Sequence, residues 1–335
     1  MTNNASAPAA AGPAGQALIE KVLAAESGAR DPQGFTKLLI VNLAVLWSVF
    51  QLWISSPLPY WVSQAIPPLQ KFVMFNDTMA RSIHLTFAIF LVYLCYPLWH
   101  RSPRDRVPAY DWLLAAVAAF CTSYLYVFHA ELSTRQGSPT PLDMGVACVG
   151  VVALLEATRR CLGKPMMIMG IVFLTYMFAG QYMPDMIAHK GATLSRAASH
   201  QWITTEGVFG VALGVSTSFV FLYVLFGAML DKAGAGNYLT RVAFALMGHM
   251  RGGPAKAAVL SSGLNGIISG SSVANVLTGG NVTIMLMKRV GYSPVKAGAI
   301  EVASSSNGQI MPPVMGAAAF LMVEYVNIPY SEIIR

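Results

Sequence analysis

The sequence predicts an all-α polytopic membrane protein: six spanning helices, an interfacial amphipathic helix, one re-entrant helical hairpin and one broken helix. Three observations carry this expectation. Charged residues are 11% of the 335, against roughly 25% in soluble domains. Hydrophobic residues are 55%, and mean hydropathy is +0.54. Nearly uncharged stretches, each about the 20 residues needed to cross a bilayer, recur along the chain. So little charge cannot clothe a soluble surface, which excludes a soluble enzyme, a nucleic-acid binder and a disordered chain. The net charge of +7 fits Lys and Arg gathered in cytoplasmic loops and implies no nucleic-acid partner. Cys95, Cys121, Cys148 and Cys161 lie in or beside apolar stretches without a CxxC, so they read as buried small hydrophobes.

Residues 1–35 read as a flexible cytoplasmic tail with a short helix around Ala17–Ala25; no basic start leads into an apolar core, so it is no cleavable signal. The spans follow in order: Thr36–Ser55, Ser82–Trp99, Tyr110–Phe128, Leu142–Thr158, Pro165–Pro184 and Gly207–Leu230. Arg101, Arg104 and Arg106 crowd the link after the second span, and Arg159, Arg160 and Lys164 the link after the fourth, while the alternate links are nearly neutral. The positive-inside rule then places the N-terminus in the cytoplasm, and all six spans obey it. Tyr238–Met250 is amphipathic and is expected in the interface.

Next comes Ala257–Met287, uncharged but bracketed by Lys256 and by Lys288, Arg289 and Lys296, so both ends are cytoplasmic. Its middle, Gly266–Asn275, is small and polar. Two arms of about 12 residues reach roughly 18 Å each, about half of a hydrocarbon core of roughly 30 Å. A re-entrant hairpin with a polar tip satisfies both constraints, because irregular backbone at that depth must line protein or water. The last stretch is a broken helix: helical Gly298–Ala303 with Glu301, a break over Ser304–Pro313, and helix again over Val314–Val326. Adjacent prolines remove backbone donors and clash with the preceding turn.

Two polar breaks at one depth are what a secondary transporter uses to bind ions and substrate. The hairpin tip offers Ser269, Ser271, Ser272 and Asn275; the broken helix offers Ser305, Asn307 and carbonyls over Gly308–Pro312. These donors are oxygens without thiol or imidazole, which suits a hard monovalent cation and not a transition metal. The plainer alternative is that small residues only allow close helix packing. Glu301, an intramembrane carboxylate, is a substrate or coupling candidate, or else a structural link. His84 reads as a hydrogen-bonded helix contact, Glu156 as the partner of Arg160 four residues on, and Asp143 as a helix N-cap. No Walker motif, HExxH or GxSxG occurs, so no enzyme activity is expected.

Several motifs carry a resemblance: Arg251–Lys256, Ser269–Asn275, Met287–Tyr292 and Gly308–Phe320, with Gly137–Thr140 plus Asp143, Leu155–Arg160 and Phe219–Gly227. Together they resemble the fused permease of tripartite ATP-independent periplasmic (TRAP) transporters, in the branch served by TAXI-type binding proteins, over about residues 36–335. The resemblance implies a four-helix small-subunit-like domain over 36–163 and a large transport domain from 164 to 335. It implies an elevator-type symporter of the bacterial inner membrane, coupled to Na⁺ or alternatively H⁺, without a cofactor. It further implies that a periplasmic TAXI-type substrate-binding protein delivers a small organic acid or amino acid. Related dicarboxylate permeases are expected to carry Asp where this chain has Asn275, which removes a formal charge. One hairpin and one broken helix are half of an inverted-repeat transporter, so the chain is expected to be the N-terminal portion of a longer protein. The competing expectation is a truncated, non-transporting membrane scaffold or docking protein.

Overall fold

The computed structural model describes residues 28–99, 102–135, 137–312 and 315–334. The helix expected at Ala17–Ala25, and Arg101, Pro313 and Val314, lie outside those residues. Among the described residues the chain is helical without strands, and six helices are long and apolar enough to cross a membrane. They are α1 (Phe35–Ser55), α2 (Asp77–Cys95), α3 (Ala109–Val127), α4 (Pro141–Leu162), α5 (Lys164–Tyr182) and α6 (Val211–Lys232). The chain packs as two units, one of Met1–Val49 with Asn76–Phe209, the other of Phe50–Phe75 with Gly210–Arg335.

In the first unit α2, α3 and α4 share a core of Ile89, Tyr93, Leu94, Ala115, Ala118 and Ala157. The alanines let the backbones approach, and buried hydroxyls close on carbonyls: Ser82 Oγ donates to Thr122 O at 2.6 Å and Tyr93 Oη to Ala153 O at 2.9 Å. Trp202 is buried, its Nε1 donates to Cys121 O at 3.1 Å, and its ring occupies the place of a side chain at Gly150. The expected contact of His84 is present: Trp47 Nε1 donates to His84 Nδ1 at 3.2 Å.

Four local expectations need correction. The second span starts at Asp77, not Ser82, because Asn76 caps the helix by accepting from Met79 N at 2.8 Å. It ends at Cys95 because Pro97 holds Tyr96 extended. Asp143 is not the N-cap of α4; Thr140 is, and Asp143 is its partner in a capping box. Thr140→Ala is therefore expected to cost about 1 kcal/mol, read as a lowered thermal midpoint. Residues 28–34 are not a loose tail: the backbone amides of Arg30, Asp31 and Gln33 donate to Cys95 O, Arg104 O and Asp105 O, and Arg30 is buried. Of the cysteines, Cys121 is buried, but Cys148 and Cys161 are exposed on the apolar outer face of α4, beside Val149, Val152 and Leu162. Such a face is what a helix presents to lipid.

The second unit continues with α7 (Ala235–Met247), α8 (Gly253–Ser269), α9 (Ser272–Arg289), α10 (Pro294–Ser306) and α11 (Ala317–Val326). The expected amphipathic helix forms as α7 and packs along α8, where Ser261 Oγ donates to Thr240 Oγ1 at 2.9 Å and Ala243 is fully buried. The polar tip expected over Gly266–Asn275 is much shorter, because only Gly270 and Ser271 separate α8 from α9. Gly270, at φ +57°, takes the left-handed turn that ends α8, and its N–H returns to Gly266 O at 3.0 Å. The serines and asparagine around it are compatible with helix and remain in it.

Candidate functional site

The site is built where α8, α9 and α10 pack together in the second unit. Their contacting faces are stripes of every fourth residue: Ala258, Ser262 and Gly266 on α8; Asn275, Gly279, Thr283 and Met287 on α9; Ala297, Glu301 and Ser305 on α10. The apolar ends of the stripes, Ala258, Met287 and Ala297, form a small core. The polar middles face one another within it.

At the end nearest the breaks, α8 crosses the turn Asn307–Gln309 that follows α10. A β-carbon on Gly266 would lie 2.4 Å from Gly308 Cα, and one on Gly308 would lie 3.0 Å from Asn275 Nδ2. Glycine is required at both positions because backbone meets backbone there. Asn275 is fully buried; its Nδ2 donates to Ser262 O at 2.7 Å and to Ser262 Oγ at 2.9 Å. Ser262 Oγ in turn donates to Ser305 Oγ at 3.1 Å. Ser305 Oγ lies 3.4 Å from Glu301 Oε1, and Thr283 Oγ1 donates to Glu301 Oε2. Glu301 is 1% exposed and packs against Gly279 and Gly280, which leave room for its carboxyl group. The network thus runs from the α8–α9 turn to a buried carboxyl through oxygen-bearing side chains.

The structure brings Asn275, Ser305, Gly308 and Glu301 into one cluster. Ser272 stands at its edge and accepts from Gln309 Nε2 at 2.9 Å, which ties the first break to the second. Ser269 and Ser271 sit at the turn itself, where Ser271 N lies 3.4 Å from Ser269 Oγ. Asn307 and Pro312 are exposed and stand outside the network. Three carbonyls of the break serve its own turn: Asn307 O accepts from Ile310 N, Gln309 O from Gly316 N at 2.7 Å, and Met311 O from Met315 N. Helix resumes at Ala317, later than Val314, because Met315 takes φ +45°, a left-handed conformation that no helix continues.

Ser262, Thr283 and Gln309 belong to this cluster and are not among the residues expected from the composition of the breaks. Their signal was the four-residue spacing that Ser262, Thr283 and Glu301 share with neighbouring small residues. Chemically, one carboxyl group, two amides and four hydroxyls gathered at a helix junction can replace part of the hydration shell of a hard cation.

Residues 149–335 match the family model described as the DctM component of the tripartite ATP-independent periplasmic transporter. The C4-dicarboxylate TRAP transporter large permease protein DctM of Pseudomonas aeruginosa is 37% identical over 91 residues, 27% of this chain and 21% of that protein. The uncharacterized protein YgiK of Salmonella typhimurium is equally similar over the same share. The ectoine TRAP transporter large permease protein TeaC of Halomonas elongata is 27% identical over 107 residues, 32% of this chain and 25% of that protein. The chain thus aligns with only about a fifth to a quarter of these relatives' length. No solved structure matches.

Proposed function

The chain belongs to the DctM-component family of tripartite ATP-independent periplasmic transporters, and on that premise we propose that it is permease machinery of an ion-gradient-driven symporter. In this reading it imports a small organic acid or amino acid, handed over by a TAXI-type periplasmic binding protein, and it catalyses no reaction. Two relatives are large permeases for C4-dicarboxylate and for ectoine, which supports a small polar solute. The observation that carries the reading is the buried Asn275–Ser262–Ser305–Glu301 cluster at the crossing of two helix breaks. A buried polar network inside an apolar bundle is costly and marks an ion or substrate path.

We read α8 and α9 as the re-entrant hairpin, and α10 with α11 as the broken helix, of one inverted repeat. Residues 36–163 serve as the small-subunit-like part and residues from 164 onward as transport domain. The protein lies in the bacterial inner membrane with a cytoplasmic N-terminus, as the arginines flanking α2 and α4 favour. The coupling ion is Na⁺, held by Asn275, Ser262, Ser305 and the Glu301 carboxylate, with Ser269, Ser271 and Ser272 shaping the approach. Glu301 supplies the charge that Asn275 lacks.

The test is uptake by the permease reconstituted with its binding protein. Collapse of the Na⁺ gradient is expected to abolish uptake, and Glu301→Gln to reduce Na⁺-driven uptake at least about tenfold, since one charge–ion contact exceeds about 1.4 kcal/mol. Uptake indifferent to collapse of both the Na⁺ and the proton gradient contradicts the symport reading.

A further inference from the structure

In the first unit a cavity of about 730 Å³ opens beside Trp99, Arg104, Arg159, Arg160, Gly163 and Lys164. Two of its lining residues, Arg159 and Arg160, belong to a buried ion network. Asp111 accepts from Arg30 Nη2 at 2.6 Å and from Arg160 Nη1 at 2.8 Å, and all three side chains are 0% exposed. Glu156 accepts from Arg160 Nε at 2.8 Å and from Arg159 Nη2 at 2.7 Å. Arg159 also reaches Leu98 O, Arg160 reaches Tyr96 O, and the Arg160 guanidinium stands 4.5 Å over the Tyr93 ring.

The charges do not cancel. Arg30, Arg159 and Arg160 face Asp111 and Glu156, three guanidiniums against two carboxylates. Among the described residues, buried Arg30 Nη1 and Arg160 Nη2 have no hydrogen-bond partner. Buried donors are normally satisfied, and a buried excess charge is costly until a counter-charge arrives. On the outer side Arg104 and Lys164 are exposed and, among the described residues, pair with no carboxylate. Trp99, 68% exposed at the rim, presents an amphipathic ring of the kind found at the headgroup level of a bilayer. Four cations therefore line one concavity, whose volume suits a small-molecule headgroup.

We propose that this cavity binds the phosphate of an anionic phospholipid, with Arg104 and Lys164 gripping the phosphate oxygens and Arg159 and Arg160 supplying the positive floor. Guanidinium forks match phosphate geometry, and a basic pocket between membrane helices is suited to lipid headgroups. Acyl chains would run along the apolar outer faces of α4 and α5, where Leu162, Met166 and Met169 are exposed. Bound there, the lipid fastens the α2–α3 link to the α4–α5 link.

The experiment is a thermal-stability titration of the purified, delipidated protein in detergent. The probes are phosphatidylglycerol, phosphatidylcholine and inorganic phosphate, and the second sample is the Arg104→Gln/Lys164→Gln double variant. Both substitutions lie at the exposed rim, so the variant keeps the buried network and its unliganded midpoint. Phosphatidylglycerol is expected to raise the wild-type midpoint, while phosphatidylcholine does not. The double variant is expected to need about thirtyfold more phosphatidylglycerol for the same shift, from about 1 kcal/mol per cation near an anionic surface. Equal response to both lipids, or an unchanged titration in the double variant, overturns the proposal. A shift with inorganic phosphate and none with phosphatidylglycerol also overturns it, in favour of a free-anion site.

Discussion

Gly266→Ala is expected to abolish ion-coupled uptake. A β-carbon at Gly266 lands 2.4 Å from Gly308 Cα, closer than any real non-bonded contact. The obstacle is backbone, so no rotamer change relieves it, and α8 must move away from the turn after α10. Overpacking of this kind costs about 1–3 kcal/mol when the neighbours can adjust. Here the adjustment also pulls Asn275 and Ser262 away from Ser305, because Gly308 packs directly against Asn275 Nδ2. The loss in transport is therefore expected to exceed the loss in stability. Gly298→Ala is the matched control: it lies within α10, its β-carbon would meet nothing within 4 Å, and alanine favours helix by up to about 1 kcal/mol. The midpoint is expected to fall for Gly266→Ala and to hold or rise for Gly298→Ala, with uptake lost only in Gly266→Ala. Near-normal uptake by Gly266→Ala would show that the crossing is not part of the transport path.

The second large effect is expected from Asp111→Asn. Asp111 bridges Arg30 and Arg160 from a fully buried position, so neutralising it leaves two guanidiniums facing one another without their shared counter-charge. Breaking a buried pair by removing one partner costs about 3–5 kcal/mol. That is a large part of the stability of most domains, so the variant is expected to lose its monodisperse folded peak or a large part of its thermal midpoint. Glu131→Gln is the contrast. Its pairing with Arg135 is 3.9 Å long and its side chain is 65% exposed, so a change of no more than about 1 kcal/mol is expected. Equal midpoints for Asp111→Asn and wild type would show that the network is not what holds α2, α3 and α4 to residues 28–34.

The helices were legible because lipid imposes a simple rule. A span must be predominantly apolar and close its own backbone hydrogen bonds, and α1 to α6 all meet the first condition in composition. Their ends were less legible where a single residue decides, as Asn76 and Thr140 do. The two breaks were visible as clusters of Gly, Ser, Asn and Pro, but their lengths were not. Composition marks where a helix can stop; Gly270 and Met315, in the left-handed region, decide where α8 does stop and where α11 is free to begin. The candidate site was half legible. Asn275, Ser305 and Glu301 stood out by type and position, whereas Ser262 and Thr283 became meaningful only when three four-residue stripes met. Asn307 and Pro312 were expected from the oxygen donors of the break, and both are exposed. The Arg30–Asp111–Arg160 network was invisible because its members are far apart in sequence and look like ordinary loop and helix-end charges.

The most direct test of the proposed cation site is the Na⁺ dependence of thermal stability in wild type, Asn275→Ala and Glu301→Gln. An ion that binds only the folded protein stabilises it by about 2.7 kcal/mol at a hundred times its dissociation constant, whatever the substrate. The wild-type midpoint is expected to climb with Na⁺ and not with equal choline, and the climb to disappear in both variants. An unchanged Na⁺ response in two folded variants would contradict it and remove the α8–α9–α10 cluster from the ion site.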